Sequence, residues 1–375
     1  MKNKKCFERV VSSLLCAAMV ATSLPLMEAS AETGWTSPTT ETVALRMGVI
    51  SDSHIISESA NDASKLNVAL EAFNEIDEDY DGLALVGDIV YHNKSASGAT
   101  PTTADEAKAY LNDGSYPLLK PSLETYASEK PFIYDMGNHE FPQDSSSDLI
   151  AEQSKLLFQN EMGQKPDYHT KFKGYHFITA APGNYNNVMS AESEAWLQTE
   201  IDTAIAEAAN KPVFVLLHQP IQDTTYGSVS GKYSDAFKTY LQSKPQVIVL
   251  SAHAHCTLAD PRTVWQDGFS VVSTGYLSGG QLYTASEKVT DGSEAMLLEV
   301  TENNVVKFHR MDLVNGDYIG EPWVFDIPAM VADAIDGDGA IDTDVWKYTD
   351  ARAEEANTPY FSEGATITTS DVSTN

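Results

Sequence analysis

A layered α/β fold is the class this sequence predicts, on three observations. Apolar runs of strand length recur at residues 43–51, 82–86, 131–136, 212–217 and 246–250. Between them lie stretches with apolar residues at helical spacing, such as Leu66, Ala69, Leu70, Phe73 and Ile76. Hydrophobic residues make up 42% of the 375, enough for a sizeable core. Strands alternating with helical patterns give sheets covered by helices.

In chain order, residues 1–31 read as a secretory signal. Lys2, Lys4, Lys5 and Arg9 form a basic start, residues 10–26 are mostly apolar, and Ala29-Ser30-Ala31 fits a small-x-small cleavage site. The apolar run is broken by Ser12, Ser13, Thr22, Ser23 and Pro25, which argues against a membrane anchor. Cleavage after Ala31 would remove Cys6 and Cys16, leaving Cys256 alone and no intrachain disulfide. Residues 32–42 read as a linker.

Residues 102–120 suggest a helical insert. Residues 168–180 alternate aromatic and polar groups and read as extended. Ser190 with Glu192 and Glu194 marks a helix start, and Trp196, Leu197, Ile201 and Ile205 give that helix an apolar face. Residues 234–241 form another helix. Residues 269–274, 295–300 and 305–313 read as strands with no helices between them, closing one domain over residues 43–315. Residues 316–375 read as a C-terminal extension. Its acidic run 333–344 fails the EF-hand pattern: with Gly339 sixth, Ala334 and Val345 occupy the ends where acids are required. Residues 365–375 resemble the opening strand of a fibronectin type III module, which would offer cell-surface or matrix association.

The formal net charge is -30, from 54 acidic and 24 basic residues. Such a surface repels phosphate backbones, so stable duplex nucleic-acid binding is not expected. A short phosphoester entering a metal-lined cleft is not excluded.

Five polar clusters follow predicted strands: Asp52-Ser53-His54, Gly87-Asp88, Gly137-Asn138-His139-Glu140, His218, and His253-Ala254-His255. Polar residues at a strand exit are costly to bury without partners. In open α/β sheets, ligands gather at the carboxyl ends of strands, so these groups can converge. Carboxylate and imidazole together suit zinc, manganese or iron, and a shared carboxylate can hold two ions. The i, i+2 spacing of Asp52/His54 and of His253/His255 puts both members on one side of an extended segment. Gly87 would let the backbone approach Asp88 closely. Singly, each cluster has a plain structural reading; jointly, in this order, they point to a paired-metal site.

The set resembles the calcineurin-like metallophosphoesterases, in a secreted bacterial-type form, whose pattern runs D-x-H, G-D, G-N-H-[DE], H and G-H-x-H. The resemblance covers residues 43–313 and implies a four-layer αββα sandwich with two central mixed sheets. It implies that Asp52, His54 and His255 hold one metal, that Asn138, His218 and His253 hold the other, and that Asp88 bridges them. His139 would be the acid near the leaving group, with Glu140 orienting its ring. Asn138, His139 and His92 would meet substrate. Two divalent or transition metal ions (manganese, zinc or iron) and a small phosphate monoester or diester are implied. Ala252 stands where the family has Gly, which would disturb the loop carrying His253. Gly87-Asp88-Ile89-Val90-Tyr91 and Val215-Leu216-Leu217-His218 also look like motifs of purple acid phosphatases, which use the Tyr as an iron ligand. With His54 present, Tyr91 is expected to pack rather than ligate. Two other readings stay open: a purple-acid-phosphatase-like acid phosphatase, and a surface or binding protein that keeps the fold without turnover. Substrate choice is expected in the loops around His92, residues 168–176 and Gly279-Gly280.

Overall fold

The computed structural model describes residues 34–349, except 57–62, 93–100, 112–114, 144–146, 187–188, 227–232, 279–291 and 337–341. The expected signal, Gly279-Gly280, residues 337–341 of the acidic run 333–344 and the final segment 365–375 lie outside the described residues.

Two sheets face each other. In the first, β1 (Val43–Ile50), β2 (Gly82–Val86) and β3 (Phe132–Asp135) run parallel. β10 (Glu294–Thr301) and β11 (Val305–Asp312) extend it antiparallel from β1. In the second, β5 (Tyr175–Thr179), β6 (Val213–Leu216), β7 (Val247–Ser251) and β9 (Ser270–Ser273) run parallel. β4 (Tyr168–Phe172) and β8 (Val264–Gln266) flank them antiparallel. The order in this sheet is β4-β5-β6-β7-β9-β8.

Strand alternation explains the layers. Met47 and Val49 of β1, Ala84 and Val86 of β2, Phe214 and Leu216 of β6, and Ile248 and Leu250 of β7 meet in one core between the sheets. The intervening residues face outward, as expected of strands buried on both sides. Leu83 and Leu85 pack under α1 (Ser64–Ile76) and α3 (Tyr116–Tyr126), through Leu66, Leu70, Phe73 and Leu119. Val213, Val215, Val247 and Val249 pack under α5 (Ala191–Ala208) and α6 (Asp235–Leu241), through Leu197, Ile201, Phe237 and Leu241. This is the four-layer sandwich.

Helix starts follow the sequence. Ser190 Oγ accepts from Ser193 N at 3.1 Å, and Ser234 Oγ accepts from Phe237 N at 3.0 Å. Several elements differ from expectation. The insert is two helices, α2 (Ala104–Leu111) and α3. A further helix, α4 (Asp148–Met162), packs on α2 and gave no clear signal, because its buried stripe of Ile150, Ala151, Ser154 and Phe158 is narrow and partly polar. Residues 168–180 are not one extended segment but a hairpin turning at Lys173-Gly174, both at positive φ (48° and 81°), which suits the twist of paired strands. The strands after residue 264 divide between both sheets. Beyond residue 315, β12 (Asp317–Tyr318) and β13 (Trp323–Asp326) pair with β11, and α7 (Ile327–Asp336) follows, with Ile327 and Met330 in the inter-sheet core. Among the described residues, no helix is long and apolar enough to cross a membrane.

Candidate metal centre

Asp52 and His54 follow β1, Asp88 follows β2, and Asn138, His139 and Glu140 follow β3. His218 follows β6, while His253 and His255 follow β7. Within each sheet these strands are parallel, so their carboxyl ends share an edge. Backbone bonds tie the loops together. Asp52 N donates to Gly87 O at 3.1 Å, His54 N to Asp88 O at 2.9 Å, and Ala252 N to His218 O at 2.7 Å.

The donor groups form three trios. They are Asp52/His54/His255, His54/Asp88/His139 and Asp88/His218/His253, each with its candidate ligand atoms within 4.8 Å of one another. The first and third of these mix residues from exits of both sheets, so the sandwich edges converge on one place. Asp88 Oδ2 lies 2.9 Å from His218 Nε2, 3.6 Å from His54 Nε2 and 4.0 Å from His139 Nε2. Asp52 Oδ1 lies 3.0 Å from His255 Nε2 and 3.7 Å from His54 Nε2. Asp88 thus belongs to two of the three trios.

The backbone here is strained. Nine non-glycine residues in the described chain have positive φ, and Asp52 (50°), His54 (48°), Asp88 (50°), His253 (65°) and His255 (48°) are five of them. Each such residue costs about 1–3 kcal/mol and persists only where its surroundings impose it. The strain turns five side chains towards one another. Nothing in the sequence announces this, although Asp and His tolerate the region better than most residues.

The donor set fits a pair of cations. His54 Nε2, His218 Nε2 and Asn138 Oδ1 are buried with no hydrogen-bond partner, a rare condition for polar atoms that coordination would relieve. His218 Nε2 is near Asp88 but not aligned with it for hydrogen bonding. His218 Nδ1 sits 2.9 Å from Val86 O, so in the neutral ring that nitrogen carries the proton and Nε2 is the atom a cation would take. Burial pushes His54 and His253 down to about 4, which keeps both imidazoles neutral as ligands must be. Burial also opposes charge on Asp88, but the His218 and His139 rings outweigh it and hold the carboxyl well below its usual range. Burial likewise disfavours a charged His218, yet Asp88 and Asp52 raise it to about 10, so its Nε2 carries a proton that a bound cation would displace. The two carboxylates draw positive charge into the cluster. Nitrogen and oxygen donors mixed in this way suit manganese, zinc or iron without choosing among them.

Three expectations need correction. Glu140 does not orient the His139 ring. It is fully buried and accepts from the N–H groups of Asp88, Ile89, Val90 and Gly137 and from Tyr134 Oη, while His139 Nδ1 has no hydrogen-bond partner. Gly87 (φ 76°) makes room for the His218 ring rather than for Asp88; the glycine that Asp88 crowds is Gly137, where a Cβ would overlap Asp88 Oδ1. Ala252 does not disturb its loop, since it avoids positive φ and its methyl joins the inter-sheet core.

His92 is buried, with its ring 6.2 Å from Tyr116 and its backbone N–H donating to the His139 carbonyl; it belongs to none of the three trios. Tyr91 Oη donates to Gln143 Oε1 at 2.9 Å, and its ring lies 4.5 Å from that of His139. Cys256 is buried, and burial raises its thiol, which suits an inert residue. Of the segments expected to set substrate choice, residues 168–176 form the β4–β5 hairpin. Its His176 pairs with Val213 at the start of β6, the end remote from His218.

Sequence reasoning missed four residues around the cluster. Asp135 is buried and accepts from His218 N at 2.6 Å and from Thr179 Oγ1. A carboxylate inside an apolar run was the available signal. Tyr134 caps Glu140. Tyr185 stands edge-on to His139 at 5.5 Å, and Tyr276 stacks on His255 at 5.8 Å. Both tyrosines arrive from exits of β5 and β9, where sequence pattern alone shows only aromatic residues.

Residues 45–257, more than half of the chain, match the calcineurin-like phosphoesterase family, and the chain belongs to it. Members of that family are hydrolases of phosphoric esters that work with metal ions. Among solved structures, a purple acid phosphatase from yellow lupin (Lupinus luteus) seeds is similar, with TM-score 0.56 and 14% identity over 80% of this chain and 57% of that one. The present chain therefore spans 57% of the lupin protein's length, and at this identity the likeness shows the fold. A dimetal phosphatase from Danio rerio gives TM-score 0.46 and 14% identity, over 75% of this chain and 98% of that one. No curated protein sequence matches this chain.

Proposed function

We propose that this chain is a phosphoesterase that hydrolyses a small phosphate monoester or diester with a pair of divalent cations. One observation carries the reading: Asp88 Oδ2 lies within 4.0 Å of imidazole nitrogens of His218, His54 and His139, and two of these, His54 Nε2 and His218 Nε2, are buried without a hydrogen-bond partner. Asp52, His54 and His255 would hold one cation and Asn138, His218 and His253 the other, with Asp88 shared. When bound, such a pair supplies Lewis acidity, making a water acidic near neutral pH and offsetting phosphoryl charge. The residues divide the remaining work. Asp88 and Asp52 concentrate negative charge that fixes the cations. His139 stands beside Asp88 with 18% of its side chain exposed, so it can reach substrate. As an imidazolium it would give a proton to the departing oxygen. Tyr91 and Tyr185 flank its ring and hold it in place.

A tyrosinate-ligated centre of the purple acid phosphatase kind is disfavoured because Tyr91 Oη is engaged by Gln143. A purified protein coloured purple by tyrosinate-to-iron charge transfer would reverse that preference. The deciding assay is hydrolysis of chromogenic phosphate monoester and diester substrates with added manganese, zinc or iron, with and without chelator. Hydrolysis of at least one substrate that a chelator abolishes is expected; turnover that survives complete metal removal would end the reading.

A further inference from the structure

Glu140 was expected beside the leaving-group acid, and the structure gives it other work. Its Oε1 accepts from Ile89 N at 2.9 Å, Val90 N at 3.1 Å and Tyr134 Oη at 2.6 Å. Its Oε2 accepts from Asp88 N at 3.0 Å and Gly137 N at 2.6 Å. The side chain has no exposure to water. Three of its donors are consecutive N–H groups of the loop that presents Asp88. Successive N–H groups converging on an anion form a nest, and here the anion is supplied by the chain itself. The fourth backbone donor, Gly137, begins the loop that presents Asn138 and His139. The same glycine abuts Asp88, so a single carboxylate fastens two loops where they touch.

Asp88 gains definition from this. Its φ of 50° is a conformation the loop would leave if released. Its Oδ1 is held by His139 N at 2.7 Å, which leaves Oδ2 to face His218, His54 and His139. We propose that Glu140 is a positioning residue that locks the Asp88 loop and so fixes the spacing of the two cation positions. This rests on the two-cation reading above. A glutamine in its place keeps the shape but turns one acceptor oxygen into a donor. Each carboxylate oxygen serves at least two hydrogen donors, so either amide orientation sets N–H groups against N–H groups.

The test is Glu140→Gln beside Glu140→Asp, with manganese affinity by calorimetry, manganese per chain by elemental analysis and spin coupling of the manganese pair by electron paramagnetic resonance. Thermal unfolding of each variant reports the fold. Glu140→Gln is expected to fold and to bind its second manganese about 10–100-fold more weakly, with the coupled signal lost. Glu140→Asp keeps an all-acceptor group and is expected to recover the coupled signal at saturating manganese. Wild-type affinity and coupling in Glu140→Gln would overturn the proposal, as would equal deficits in the two variants. If Glu140→Gln does not fold, Tyr134→Phe removes one donor from Oε1 and is expected to weaken the second manganese about tenfold; unchanged affinity there overturns the proposal. A wild-type protein that binds no manganese, zinc or iron would overturn both this proposal and the reading beneath it, whereas two tightly bound ions in wild type and Glu140→Gln alike would overturn this one alone.

Discussion

Among the described residues, two clusters each bring more than one histidine together with carboxylates, and they differ in how their hydrogen bonds end. At the converging strand ends, His54 Nε2, His139 Nδ1 and His218 Nε2 are buried without hydrogen-bond partners. On the β4–β5 hairpin, the side chains satisfy one another. His169 Nδ1 sits 2.6 Å from Glu200 Oε2, His169 Nε2 sits 2.8 Å from His176 Nδ1, and His176 Nε2 lies 3.8 Å from Glu207 Oε2. Neither histidine is among the residues at positive φ, and the pair forms no metal-capable trio. Residue types alone would rank the clusters equally. The run of hydrogen bonds from Glu200 through His169 to His176 leaves no orphaned buried nitrogen, whereas strained backbone aimed at orphaned nitrogens needs something more. Functional sites and structural networks can be told apart by where the hydrogen bonds run out.

The largest effect that sharpens this contrast is expected from Asp88→Asn. Asp88 is the proposed shared ligand, so its loss should lower bound metal below two per chain and cut phosphoesterase turnover by at least about 10³-fold. Elemental analysis that finds two metals in that variant would contradict the shared role. His139→Ala comes next. It leaves both outer trios intact, so metal content should stay and turnover on substrates with poor leaving groups should fall about 10²–10⁴-fold. An unchanged rate on an alkyl phosphate would remove the acid role.

The smallest effect belongs to the other cluster. His169→Ala should leave metal content unchanged and turnover within about threefold, while costing on the order of 1 kcal/mol of stability through lost hydrogen bonds. Loss of metal in this variant would erase the distinction between the clusters. The hairpin pair also gives a pH signature. Burial first, then the charges of Lys171, His169 and Lys211, lower the His176 pKa, against the raising effect of Glu207. The unfolded chain then binds the proton more readily than the folded one, so stability falls as pH drops below about 6.5. Replacing His176 with Asn should flatten the difference in melting temperature between pH 7 and pH 5. A slope equal to wild type would show that the pair does not contribute to it.

Much of the site was legible because its chemistry is local. Asp52/His54, Gly87-Asp88, Gly137-Asn138-His139-Glu140, His218 and His253/His255 each follow an apolar strand, and short motifs survive any uncertainty about how strands are arranged. Glu140 was misread because its partners are backbone N–H groups up to 52 residues away, and backbone groups carry no sequence signature. Asp135 looked like part of a strand, and its role appears only when β6 delivers His218 N to it. The β4–β5 turn at Lys173-Gly174 was hidden by continuous alternation on either side of it.

The sequence by itself determined the layered class, the strand exits that carry the polar clusters and the chemical type of those clusters, because period, composition and strand-end polarity are properties of neighbouring residues. Only the tertiary structure decided which carboxylate three imidazoles approach, which histidines are left wanting and what Glu140 holds. Those depend on distances between segments far apart in the chain, on backbone forced into positive φ by its surroundings, and on where each buried donor finds an acceptor.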